Sequence, residues 1–189
     1  MGLNNLKANI KSGKEGRNIG ISTGLPEIDK IIYGVQKKFI YTIFSDTSAG
    51  KTSFALDVFI YNLFKNRGDR KVNVLYYSFE MSTDTLLAKL LSRYIYDTFN
   101  VVITYEEILS LTKPISEEHL VYVEKSYSFL EDLYKYFTVY DKALTPGGIY
   151  ATYKEWLKKF GDFVEIGEHK EIYTENDPDE YKIALIDHI

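Results

Sequence analysis

Cysteine is missing from this chain altogether, which excludes disulfide frameworks, thiolate zinc sites and cysteine nucleophiles. Long apolar runs are missing too. No uninterrupted stretch approaches the roughly 20 residues that a membrane-spanning helix needs. The opening residues, MGLNNLKANIKSGKEGRN, hold no signal-peptide core. These absences predict a soluble, cytoplasmic product. A basic excess is lacking as well: the net charge of -4 excludes the whole-domain basicity of a simple nucleic-acid coat and leaves room only for a local basic surface. What is present is an ordinary globular composition. With 189 residues, 45% hydrophobic and 26% charged, the chain is long enough to bury a core without staples, and one domain is expected.

Residues 1 to about 22 are polar and dotted with glycine, and Lys7, Lys11, Lys14 and Arg17 outweigh Glu15. This reads as a solvated N-terminal extension or, alternatively, a strap lying on a neighbouring subunit. The remainder, 23–189, reads as one domain. Within it, Glu165 to Glu180 is strongly acidic, with Lys170 as the one cation in the stretch. Gly167 and Asn176-Asp177-Pro178 mark it as a surface loop with a short hairpin, an acidic insertion over about 162–181.

Between these ends, strand and helix signals alternate. Phe39 to Phe44 is a β-rich run, and from Lys51 to about Asn66 apolar residues recur at helical spacing, with Gly68 as a stop. Val72 to Phe79 predicts a second strand, and Ser82 caps a predicted helix over 83–98. Thr104 with Glu107 forms a capping box, and Pro114 ends the short helix it opens. Ser116 caps a helix running to about Tyr136. Phe137 to Tyr140 predicts a third strand, and Thr145-Pro146 opens a helix to about Phe160. Ile183 to Ile186 predicts a fourth strand, closed by Asp187. Continuous apolar strands separated by helices predict a parallel sheet covered on both faces, so the fold class is α/β.

The sharpest chemical signal is Ser45-Asp46-Thr47-Ser48-Ala49-Gly50-Lys51-Thr52. It departs from the phosphate-loop pattern G-x-x-x-x-G-K-[ST] only at its first position, where serine replaces glycine. In such a loop, backbone N–H groups from about Ser48 to Thr52 converge at a helix N-terminus and cradle phosphate oxygens. Gly50 leaves that approach open, Lys51 brings a positive charge to the β- and γ-phosphates, and the Thr52 hydroxyl is a hard oxygen ligand for Mg2+. The nucleotide contacts are assigned to the segment through Ser53. Asp187, at the end of an apolar strand, has the form of a carboxylate serving the magnesium shell. Glu80, at the end of the second strand in Tyr77-Ser78-Phe79-Glu80-Met81-Ser82, would face the same carboxyl edge and could orient or deprotonate water. His119, His169 and His188 show no metal spacing. The tyrosines and phenylalanines read mostly as core. The Lys65, Arg67, Arg70, Lys71 cluster reads as a solvated helix end.

Taken together, Thr23-Gly24-Leu25-Pro26-Glu27-Ile28-Asp29, Gly34-Val35-Gln36, SDTSAGKTSFAL and YYSFEMS resemble the ATPase domain of replicative DNA helicases of the DnaB type and related phage helicases. Tyr136 to Asp141, Leu144-Thr145-Pro146 and Ile186-Asp187 extend the likeness in the same order. The resemblance implies a RecA-like P-loop core that binds ATP and Mg2+. It places Lys51 and Thr52 on phosphate and metal, Glu80 as catalytic base and Asp187 on the metal shell. It also implies single-stranded DNA as a partner, a hexameric ring, and a primase or loader as a further partner. Lys89 stands where the family often has arginine. The preference for lysine over arginine fits an AT-rich, phage-like source acting in a host cytoplasm. In the family the chain continues past the Walker B strand to DNA-gripping loops and an arginine finger. This sequence therefore reads as the front half of a motor, with an uncovered sheet edge and a tendency to associate.

The expected function is ATP-driven translocation on single-stranded DNA in replication. The alternatives are a RecA- or KaiC-like ATPase of recombination or regulation, and a nucleotide-binding module without turnover.

Overall fold

The computed structural model describes residues 2–16, 18–46, 48–142, 144–167 and 170–187. Among these, no helix is long and apolar enough to cross a membrane. The backbone divides into two compact units, Met1–Asp69 and Arg70–Ile189.

The first unit is helical. Helix α1 (Gly2–Lys14) occupies the expected polar extension, so that segment is not an irregular tail. Leu3, Leu6 and Ile10 recur at helical spacing on α1, and all three are exposed. Arg17, which contributed to the basic balance there, lies outside the described residues. Helix α2 (Pro26–Ile32) starts with proline at its first position and ends on Tyr33 in the left-handed conformation. An isolated antiparallel bridge joins Ile21 to Val35. The two chains approach so closely there that a Cβ on Gly20 would lie 2.6 Å from the Gly34 carbonyl carbon. A larger residue at Gly20 would therefore force the backbones apart.

The Phe39–Phe44 run is extended but is not a strand, which corrects the expectation. Phe39, Ile40 and Phe44 are exposed. A β-rich composition makes a strand only where a neighbouring chain completes the backbone ladder, and the run pairs with no strand among the described residues. It is anchored instead through Tyr41, whose hydroxyl accepts from the Gln36 N–H at 2.9 Å and whose ring lies 5.8 Å from Phe59.

The helix expected from Lys51 to Asn66 is present in three joined pieces: α3 (Lys51–Leu56), a π-helical segment Asp57–Tyr61, and α4 (Asn62–Asn66). Widening of the turn at Asp57 lets the Asn62 N–H reach the Asp57 carbonyl. It also places the buried Asn62 side chain against Gly24.

The second unit holds a parallel sheet formed by β1 (Val72–Ser78), β2 (Phe137–Tyr140) and β5 (Tyr181–Asp187), in the spatial order β2-β1-β5. Every residue of the central strand β1 is buried, as a strand flanked on both sides and covered on both faces requires. Helix α5 (Thr83–Phe99), α6 (Tyr105–Ile108), α7 (Glu117–Lys125) and α8 (Tyr127–Tyr134) form a helical layer. Its core is Leu91, Ile95, Ile103 and Val123. The helix expected to run from Ser116 to Tyr136 is broken at Ser126. That buried serine leaves helical geometry and donates its hydroxyl to the Tyr122 carbonyl at 2.7 Å.

Helix α9 (Pro146–Leu157) places Trp156 and Leu157 against Leu75 and Tyr77 of β1. The acidic segment carries an antiparallel hairpin of β3 (Gly161–Gly167) and β4 (Lys170–Glu175). Its charge is met by more than Lys170. Lys154 pairs with Glu171, Lys71 lies 3.3 Å from Asp177, and Lys182 lies 3.1 Å from Glu175 and 3.6 Å from Glu180. Opposite charges brought from α9, the start of β1 and β5 thus hold the insertion. Glu168 and His169 lie outside the described residues.

Candidate functional site: a phosphate loop and a carboxylate edge

In the first unit, the chain reaches Ser45 and Asp46 in extended form and turns into α3 at Lys51. Two residues of the turn take positive φ, Ser48 at 61° and Gly50 at 86°. Gly50 adopts that conformation without penalty, whereas a side chain there would strain the backbone even though a Cβ would meet nothing within 4 Å. The Ala49 N–H donates to the Asp46 carbonyl at 3.3 Å, closing the loop on itself. The Lys51 ammonium folds back over the same loop and donates to the carbonyl oxygens of Ser45, at 3.0 Å, and Asp46, at 2.9 Å. Thr52 is half-buried in the first turn of α3, and Ser53 beside it is exposed. Thr47 lies outside the described residues.

A second motif of this unit, Thr23 to Asp29, has a structural use that residue spacing alone did not disclose. The Asp29 carboxylate accepts from the Ser22 hydroxyl at 2.6 Å, the Thr23 N–H at 2.9 Å and the Thr23 hydroxyl at 2.8 Å. Burial raises the Asp29 pKa, but the hydrogen bonds from Ser22 and Thr23 outweigh it and leave the carboxyl below its ordinary value. The Asn66 amide donates to the Ser22 carbonyl at 3.1 Å. The motif is therefore tied to the helical run that begins at the phosphate loop.

In the second unit, Glu80 and Asp187 stand at the carboxyl edge of the sheet, as expected from their strands. In the ladder Asp187 pairs with Ser78, two residues before Glu80. Glu80 is exposed and Asp187 half-buried. The Glu80 turn is held at both ends. On one side the buried Ser78 hydroxyl donates to the Met81 carbonyl at 2.7 Å and accepts from the Met81 N–H at 3.2 Å. On the other side Asp141, directly after β2, accepts from the Thr83 N–H at 3.0 Å and the Thr83 hydroxyl at 2.8 Å. These hydrogen bonds hold the Asp141 carboxyl below its usual pKa. Ser82 caps α5 by accepting from the Thr85 N–H.

Sequence reasoning assigned no role to Ser78 or Asp141. The signal was the polar residue at each strand end, which is invisible as a pair until β1 and β2 are adjacent. Lys89, on α5, lies 4.2 Å from the Tyr105 ring centroid. His119 lies 2.8 Å from Glu107 and joins α7 to α6, while His188 is outside the described residues.

A parallel sheet with helices and a glycine-lysine-threonine phosphate loop at a helix start define the class, an α/β P-loop ATPase with a RecA-like core. Residues 20–112 match the family described as the DnaB-like helicase C terminal domain. Among solved structures, the chain is similar to a helicase ATPase domain, with a TM-score of 0.63 and 19% identity over 97% of this chain and 70% of that one. No curated protein matches. The chain carries a DnaB-like helicase ATPase domain.

Proposed function

We propose that this chain acts as the motor of a DnaB-like helicase, coupling ATP hydrolysis to translocation on single-stranded DNA during replication, in a hexameric ring. The observation that carries this reading is the phosphate loop inside the family-matched segment, with Gly50 in the left-handed conformation and Lys51 poised over the loop.

The residues fit a magnesium nucleotide. The loop offers an ammonium, a hydroxyl at Thr52 and a tight turn into a helix start, while the sheet edge offers carboxylates at Glu80 and Asp187. Lys51 exchanges its two carbonyl partners for phosphate oxygens. Ser45, Asp46, Thr47, Ser48, Ala49, Gly50 and Ser53 line the nucleotide, with Thr52 and Asp187 on the metal side. Bound Mg2+ supplies charge neutralisation on the phosphates. Glu80 holds the attacking water and takes its proton, and the Ser78 and Asp141 clamps fix the backbone from which it reaches. The exposed apolar stripe of α1 supports the strap reading, in which this helix lies on a neighbouring subunit of the ring. A primase or loader as partner, a phage source and action in the host cytoplasm belong to the same reading.

The test is ATP hydrolysis by the purified chain with and without single-stranded DNA, beside Glu80→Gln. The expected result is DNA-stimulated turnover that falls by about 10²–10⁴ in Glu80→Gln, with nucleotide binding retained. Turnover indifferent to DNA would overturn the motor reading in favour of a RecA- or KaiC-like ATPase. Binding without turnover would point to a nucleotide-binding module.

A further inference from the structure

Tyr76 lies on β1 opposite Leu185 of β5, two residues before the Ser78–Asp187 pair. A diagonal neighbour on the same face of a parallel pair is within reach of a long aromatic side chain. Here the Tyr76 hydroxyl donates to Asp187 Oδ2 at 2.6 Å. The tyrosine is completely buried, and its ring meets Phe137 of β2 edge-on with centroids 6.1 Å apart. Burial, and then the hydrogen bond to the Asp187 carboxylate, push the phenol pKa well above its ordinary value, so the hydroxyl stays protonated and remains a donor. Its ring is locked on one side by β2 and its hydroxyl engages a single carboxylate oxygen on the other.

We propose that Tyr76 is the positioning residue for Asp187: by holding Oδ2 in a short charge-assisted hydrogen bond, it fixes the carboxylate plane and presents Oδ1 to the metal shell of the nucleotide. This rests on the reading of Asp187 given above and adds the group that orients it. A carboxylate at a strand end rotates freely about its Cα–Cβ and Cβ–Cγ bonds. A buried donor that cannot itself rotate away removes that freedom before the nucleotide arrives. Groups that orient metal-side ligands are typically worth about 10–100-fold in metal affinity or activity. Tyr76 touches neither substrate nor metal, so its effect is felt only through Asp187.

The experiment titrates free Mg2+ against binding of a fluorescent ATP analogue to the wild-type chain, Tyr76→Phe and Asp187→Asn, with affinity in EDTA as the metal-free reference. In Tyr76→Phe the EDTA affinity should be unchanged, while the Mg2+ concentration giving half of the metal-dependent tightening rises about 10-fold, the low end of that range. In Asp187→Asn the metal-dependent tightening should be lost. A Tyr76→Phe chain with a lower melting temperature but the wild-type Mg2+ midpoint would show a merely structural hydrogen bond and overturn the proposal alone. A wild-type chain without Mg2+ response, or an Asp187→Asn chain with the wild-type response, would overturn the reading of Asp187 and the proposal with it. Should Tyr76→Phe fail to fold, Asp187→Glu asks the question from the other end, because it keeps the charge but carries the carboxylate one methylene away from its seat. A raised Mg2+ midpoint supports the proposal, and the wild-type midpoint overturns it.

Discussion

Replacing Ser78 by alanine should damage stability modestly and catalysis more. Ser78 is 1% exposed, and its hydroxyl both donates to the Met81 carbonyl and accepts from the Met81 N–H. Alanine fits the space but leaves both backbone groups without that partner. An unsatisfied buried group costs about 1–3 kcal/mol. Met81 is only half-buried, so water recovers part of the loss. We therefore expect about 1.5 kcal/mol of destabilisation, which in a chain of this size is about 3–6 °C in melting temperature. The same turn carries Glu80, and loss of its near clamp lets that carboxylate wander. A displacement of about 1 Å at a reacting group can cost about 100-fold in rate. Ser78→Ala should lower kcat by at least about 10-fold while leaving ATP affinity near wild type, because the phosphate loop is untouched. Thermal melting by circular dichroism and steady-state ATP hydrolysis read the two effects separately. An unchanged melting temperature with unchanged kcat would refute the reasoning that this hydroxyl holds the turn.

Two further perturbations test the supports around the site. The Asp29 carboxyl has a folded pKa below its unfolded value, so its contribution to stability is present above the unfolded pKa of about 3.9 and is lost as pH falls through the folded value. Asp29→Asn should therefore flatten part of the acid limb of the melting-temperature profile below about pH 4, and an acid limb identical to wild type would contradict the hydrogen-bond network with Ser22 and Thr23. Lys182 is 7% exposed between Glu175 and Glu180. Lys182→Met should leave those carboxylates facing one another and cost about 2 kcal/mol, less than a fully buried pair because Glu175 remains partly solvated; urea unfolding reads this, and an equal midpoint would show that the pairing contributes nothing.

The parts of the fold legible in the sequence were those governed by local chemistry. Ser82, Thr104, Ser116 and Thr145 were read as helix caps, and each accepts from the N–H three residues on. The strands β1, β2 and β5 were legible because their apolar runs are continuous, and the hairpin because its turn residues interrupt an acidic stretch. The resemblance supplied the roles of Lys51, Glu80 and Asp187. What escaped depends on distant neighbours. Phe39 to Phe44 has strand composition, yet a strand exists only with a partner. The counter-charges of the acidic insertion come from Lys71, Lys154 and Lys182, with Lys71 lying 106 residues from its partner Asp177. Tyr76 and Asp187 are 111 residues apart, so no periodicity could join them. Ser78 and Asp141 were read as strand-end residues, and their clamping roles emerge only once β1 and β2 lie side by side.

The central claim is that the Ser45 to Thr52 loop grips the phosphates of ATP through Lys51. Calorimetric titration of ATP with Mg2+ into the wild-type chain and Lys51→Ala tests it most directly. A charged hydrogen bond to phosphate is worth about 1.5–3 kcal/mol, so the account predicts that Lys51→Ala weakens binding by at least about 10-fold with the fold intact. Equal affinities in the two chains would contradict it.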